Sequence, residues 1–158
     1  LEAIDREFPE AILDASETHG MLTIEIKKEE IKKVIHFLKV SSLNFHFLTD
    51  VCGIHYPDNK EKELGVIYHL HNMVENVRIR LKTFMPREGA EVESLVDLFA
   101  GANWMERETY DFFGIKFTGH PDLRVILNMP DLGYHPLLKE YRLEDGTRTD
   151  KNDLMFGR

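Results

Sequence analysis

Cysteine occurs once, at Cys52, so this chain alone builds neither a disulfide nor a four-thiolate zinc or iron-sulfur site. The scarcity fits a reducing compartment. No apolar run approaches the roughly 20 residues of a bilayer-crossing helix, and no signal-peptide pattern opens the sequence, so any membrane association is expected to be indirect. Positive charge is also short: 20 Lys and Arg stand against 28 Asp and Glu, and the net charge of -8 repels a phosphate backbone. Nucleic-acid binding is therefore disfavoured. No glycine-rich loop leads into a helix, which argues against nucleotide binding. Ser16, Ser41, Ser42 and Ser94 lack the strand-turn glycine setting of a nucleophile elbow, and Cys52 sits in a run that reads as a buried strand. The chain opens on Leu1 and not Met, so it is expected to begin inside a longer natural one.

What is present is material for a core. Apolar residues make up 42% and aromatics 10%, above the composition that marks disorder. The length fits one α/β (α+β) domain, expected over 1–142. Beyond it, Leu143 to Asp153 is polar and without period, and reads as an extended C-terminal arm over 143–158.

Residues 1–10 suggest a short helix broken by Pro9, with Ile12 and Leu13 starting a strand. Met21 to Ile26 alternates as a half-buried strand, with Leu22, Ile24 and Ile26 on one face. From Glu29 to Val40 the period changes: Ile31, Val34, Ile35 and Leu38 fall at helical spacing, as in a helix lying on a sheet. Strand-like runs follow at Asn44 to Cys52, Leu64 to His71 and Val77 to Phe84, which implies an antiparallel meander within a mostly antiparallel mixed sheet. In the third run Arg78, Arg80 and Lys82 form a basic stripe, either solvated or facing an acidic neighbour. Helical spacing returns at Val92, Leu95, Val96 and Phe99, with Gly101 placed to end that helix.

Asn103-Trp104-Met105-Glu106 has the form of a capping box, in which Glu106 reaches back to the cap, and predicts a helix ending at Gly114. On it Met105, Thr109 and Phe112 share one side, with Tyr110 and Phe113 close by. Arg107, Glu108 and Asp111 gather with Trp104 on the remaining side, where Arg107 and Asp111 are spaced as an exposed pair. Ile115 and Phe117 then alternate with Lys116 and Thr118 before the turn Gly119-His120-Pro121-Asp122, whose Pro121 forces His120 out of the helical region.

The 22-residue run from Glu106-Arg107-Glu108-Thr109-Tyr110-Asp111-Phe112-Phe113-Gly114 through Gly119-His120-Pro121-Asp122-Leu123-Arg124 to Leu127 resembles the signature of the 30-kilodalton-subunit family of respiratory complex I, the C-subunits of NADH-quinone oxidoreductases. The resemblance implies a non-catalytic subunit of the peripheral arm that holds no flavin, cluster or metal and therefore no cofactor of its own. It implies docking on the hydrogenase-like large subunit, near the cluster-bearing subunit at the quinone site. It places the chain peripherally on the cytoplasmic face of a bacterial inner membrane, or the matrix face of a mitochondrion. Related membrane-bound hydrogenase and dehydrogenase complexes reuse the same module. Glu106, Arg107, Tyr110, Asp111, Phe117, His120, Pro121, Asp122 and Arg124 become the expected partner-binding residues, with Arg107 and Arg124 making charge-assisted contacts and Asp111 and Asp122 as their partners. The sequence departs from the family pattern at Val125, where a second arginine is usual, and at Leu138, where a basic residue is common. The arm is expected to bury Leu154, Met155 and Phe156 against another protein of the complex.

Two rival readings rest on short motifs. His69 and His71, with His46, His55 and Asp50 nearby, suggest a metal-dependent hydrolase, although no Cys or Glu completes a ligand motif. His120-Pro121-Asp122 matches the tripeptide of J-domain cochaperones, but the helical hairpin those need is not indicated.

Overall fold

Alternation along the strands places one side chain in two on a common sheet face, and that face carries the core. The computed structural model describes residues 1–141; the arm and its Leu154, Met155 and Phe156 lie outside the described residues. Helix α1 (Glu2–Glu7) leads into strands β1 (Ile12–Thr18) and β2 (Met21–Ile26), then helix α2 (Ile31–Val40). Strands β3 (Phe47–His55), β4 (Leu64–Asn72) and β5 (Val77–Met85) follow, then a short β6 (Glu91–Glu93), helix α3 (Ala102–Phe113) and β7 (Lys116–Thr118). The main sheet has the order β1-β2-β5-β4-β3, with β2 and β5 parallel and the other pairs antiparallel. The meander β3-β4-β5 is thus as the alternation predicts, and α2 is the crossover that lets β5 return beside β2.

The β1–β2 hairpin closes through His19 and Gly20, both at positive φ (55° and 71°), the backbone of a two-residue turn matched to strand twist. Register aligns Ile24 with Leu81, Leu81 with Tyr68, and Ile79 with Leu70 on the core face. The stripe Ile31, Val34, Ile35 and Leu38 of α2 is buried in the same core, each side chain contributing about 1.5–3 kcal/mol of apolar burial. Helix α3 approaches the edge strand β3 at Gly53, where a Cβ would stand 2.4 Å from the Phe113 ring, so only glycine permits this distance.

Two expectations are corrected. Strand β3 starts at Phe47 and not Asn44, because Asn44 takes a positive φ of 60° and Phe45 N–H donates back to Leu38 O, closing the end of α2. Val92, Leu95 and Phe99 are buried as their spacing demands, yet no helix spans them. Val92 instead lies in β6, which pairs in parallel with β7, Ser94 N–H donates to Thr118 O, and a single turn follows in which Leu98 and Phe99 donate to Leu95 O. With its amides engaged elsewhere, the segment has no ladder for a helix.

Candidate docking site

Helix α3 begins before the position that the capping box suggests. Its N-cap is Gly101, without a side-chain cap bond, and Asn103 lies inside the helix. Glu106 does not reach back; it is fully buried, accepting from Ser94 Oγ at 2.6 Å and from Leu95 N–H at 2.7 Å. Burial pushes its pKa up to about 7, offset in part by those two bonds and by Lys32. Glu106 is thus the post on which the 94–99 turn is hung. The helix ends at Gly114 with φ 77°, the left-handed cap expected of it.

Arg107 and Asp111 do not pair with each other. Arg107 donates from Nε to Arg124 O and from Nη2 to Val125 O, both at 3.2 Å. Asp111, only 1% exposed, accepts at Oδ2 from the N–H groups of Ile126 (3.0 Å), Leu127 (2.8 Å) and Asn128 (3.0 Å), and at Oδ1 from Asn128 Nδ2 (3.0 Å). A cation takes the carbonyls and an anion takes the amides of one stretch, 124–128, which fixes it without any secondary structure. The contacts run to main chain, so Val125 in place of an arginine leaves them intact.

The rest of the loop is held the same way. His120 donates from Nε2 to Asn103 O (3.1 Å) and accepts at Nδ1 from Asp122 N–H (3.0 Å), which fixes its tautomer. His135 donates from Nδ1 to Asp111 O (2.9 Å) and sets its ring edge-on to Tyr110, and Leu137 N–H donates to Phe112 O (3.2 Å). Further along, His55 accepts at Nδ1 from Lys139 N–H (2.9 Å) and faces Glu63 through Nε2 (3.2 Å). Arg87 forks onto Glu140 at 2.7 and 2.8 Å. Leu138, the second departure from the family pattern, is 3% exposed and joins the core.

Of the residues expected at a partner interface, Glu106 and Phe117 face the chain's own core. Arg107, Asp111, His120 and Tyr110 brace the loop, and Arg124 forms a solvated pair with Asp122 at 2.9 Å. Pro121 is exposed. Beside the exposed charges of Glu108, Asp122 and Arg124, the helix and loop display large apolar side chains outward: Trp104 (59% exposed), Leu127 (65%), Met129 (68%), Tyr134, Leu137 and Tyr141.

A family model described as respiratory-chain NADH dehydrogenase, 30 Kd subunit, matches residues 24–147. The chain belongs to this family. The NADH-quinone oxidoreductase C-subunit of Xanthobacter autotrophicus is 46% identical over 132 residues, 83% of this chain and 62% of that protein, so the chain spans less than two thirds of this relative. Its counterpart in Geobacter metallireducens is 38% identical over 137 residues, covering 87% of this chain and 84% of its own length. Among solved structures, the trypsin-resistant fragment (1-134) of Nqo5 superposes with a TM-score of 0.63 at 31% identity, over 70% of this chain and 89% of the fragment. A chain of the membrane-bound sulfane sulfur reductase, an archaeal respiratory membrane complex, has a TM-score of 0.76 at 24% identity over 90% of this chain and 83% of its own, and shares the fold.

Membership of the 30 Kd subunit family makes the chain a subunit of an oxidoreductase complex of the respiratory chain. The mixed sheet packed by helices is the fold expected of it. The short motifs that suggested other classes are engaged structurally: His69 Nε2 accepts from Arg80 Nε (2.8 Å), while His71 Nε2 meets Asn76 Oδ1 (3.1 Å). Among the described residues, no group of three or more His, Cys, Asp or Glu is placed to hold a metal ion. The His120-Pro121-Asp122 turn follows strand β7, not a helix of a hairpin. Sequence reasoning weighed Ser94 and His55 only for other chemistries and passed over Asn128; the partners of all three lie 8 to 84 residues away and leave no local spacing to read.

Proposed function

We propose that this chain is a docking subunit of the peripheral arm of a proton-translocating NADH-quinone oxidoreductase, with no catalytic residue and no redox group of its own. In this reading the loop 119–141 and the exposed side of α3 seat on the hydrogenase-like large subunit, next to the cluster-bearing subunit at the quinone site. The observation that carries it is the pairing of a rigid, hydrogen-bonded irregular segment with outward apolar side chains. Leu127 and Met129, among the most exposed large apolar residues, flank Asn128, whose amide and side chain are both held by Asp111. A backbone fixed that firmly loses little further entropy on binding, and the apolar side chains supply the driving force.

Sequence relatedness to the C-subunits of NADH-quinone oxidoreductases favours that complex over related membrane-bound hydrogenases and dehydrogenases that use the same module. No helix of the described residues is long and apolar enough to cross a membrane, in keeping with attachment through the complex on the cytoplasmic face of a bacterial membrane, or the matrix face of a mitochondrial one. The test is the pair Leu127→Glu and Met129→Glu in the complete complex. The double variant should fold and yet co-purify with the large subunit on the order of tenfold less, as loss of central apolar anchors does. Unchanged co-purification, or turnover of NADH by the isolated chain, overturns the reading.

A further inference from the structure

The sheet face opposite α2 carries a feature that the docking loop does not use. On β5, Arg78, Arg80 and Lys82 alternate with the buried Ile79, Leu81 and Thr83, so they rise from the outer face. The lower end of this face is occupied by the connection before β4, where Lys62 reaches Glu25 and the Tyr56 ring lies 5.9 Å from that of Phe84. Helix α3 packs on the edge strand β3, two strands away from β5.

Register sets Asp50, His69 and Arg80 side by side on β3, β4 and β5. Arg80 Nε donates to His69 Nε2 at 2.8 Å, and Asp50 Oδ2 stands 3.8 Å from His69 Nδ1. An imidazole that accepts at Nε2 keeps its proton on Nδ1, toward Asp50. Burial, and then the charge of Arg80, hold His69 below the ordinary imidazole value, so it stays a neutral acceptor. The relay orients the guanidinium through Nε. Among the described residues its two terminal nitrogens have no carboxylate within 4.0 Å, and neither do Arg78 and Lys82. Glu25, which neighbours Lys82 in register, is taken by Lys62.

We propose that this row is a second docking site, and that its occupant is an extended acidic segment of a neighbouring protein. Carboxylates two residues apart on such a segment repeat at roughly 7 Å, the spacing of Arg78, Arg80 and Lys82 along β5. Arg80, already oriented, takes a carboxylate through both terminal nitrogens. In a chain of net charge -8, three cations on one strand with no carboxylate partner among the described residues are complementary to an acidic ligand. The row is one strand wide, so a single extended chain covers it, whereas a flat anionic bilayer would spread beyond it over a chain of net charge -8. This inference rests on the docking reading and adds a surface to it.

Zero-length carbodiimide coupling of the purified complex should join Lys82 to an Asp or Glu of another subunit, and Lys82 should acetylate more slowly in the complex than in the isolated chain. The variant Arg78→Glu/Arg80→Glu/Lys82→Glu should retain on the order of one tenth of that neighbour on co-purification, with Arg80→Lys intermediate. Coupling of Lys82 to residues 142–158 of its own chain overturns the proposal, as does equal acetylation in both states. So does a triple variant that keeps every subunit but loses affinity for anionic vesicles. The labelling experiments use the unaltered chain and stand even where the triple variant fails to fold. If the row proves idle while Leu127→Glu/Met129→Glu still blocks incorporation, only this site falls; if the unaltered chain joins no complex, the docking reading falls with it.

Discussion

Glu106 shows how one residue type serves an unexpected end. Its spacing from Asn103 is that of a helix cap, but the helix starts at Ala102, and the carboxyl turns inward to hold Ser94 and Leu95. Burial raises its pKa from 4.5 to about 7, the hydrogen bonds offsetting only part of the rise. The folded chain therefore holds a proton that the unfolded chain releases between those values. The folded state is favoured most below 4.5, and this contribution declines as pH rises through about 7. In Glu106→Gln the neutral amide keeps the acceptor for Leu95 N–H, and Ser94 can rotate to accept from the new NH2 group. Urea unfolding at a series of pH values should show the variant gaining on the parent chain from pH 4.5 to 7, by on the order of 2 to 3 kcal/mol. Parallel stability curves across that range would mean the carboxyl is not the source of the slope.

At the scale of elements, β2, α2, β4 and β5 are legible because each has a wet face and a dry one, and alternation or helical spacing records which is which. The 92–99 segment misleads for a related reason: a β-bridge followed by one turn also buries Val92, Leu95 and Phe99, so burial at those intervals does not identify a helix. The loop after β7 has no period at all, and what orders it is Asp111. Burial raises the pKa of this carboxyl, but hydrogen bonds from Asn128, Leu127 and Ile126 outweigh it and hold the group below the ordinary 3.8. Its contribution is complete above that ordinary value and is lost as pH falls through the lowered one. Asp111→Ala leaves three amides without their acceptor. Since a released loop can hydrate them, the global cost should be about 1–3 kcal/mol. Hydrogen exchange is the sharper measurement: protection at Ile126, Leu127 and Asn128 should vanish while the strand amides of β4 and β5 stay protected. Retained protection at those three positions would show that the loop is fixed by something other than Asp111.

For the whole molecule, Glu106, Arg107 and Asp111 of the signature are spent inside the chain, and what its helix and loop offer outward includes six large apolar side chains. Sequence reading singles out Arg107, Asp111, His120 and Arg124 as contacts because charged residues in a motif draw attention. It passes over Leu127, Met129 and Tyr134 because an irregular segment gives no rule for which side chains face out. Single exposed apolar residues are ordinary, but six on one helix and one loop make a surface that water covers poorly. If that surface waits for a partner, the isolated chain should bury it by other means. Sedimentation velocity on the purified chain should therefore show concentration-dependent self-association, and Leu127→Glu/Met129→Glu should sediment as a monomer at the same concentrations. Both positions are solvent-exposed, so thermal unfolding of the double variant should shift by no more than about 0.5 kcal/mol per substitution. A parent chain that stays monomeric at every accessible concentration would leave the exposed apolar surface without a demonstrated tendency to bind anything. A destabilised double variant would place those two side chains in the fold instead of on its outside.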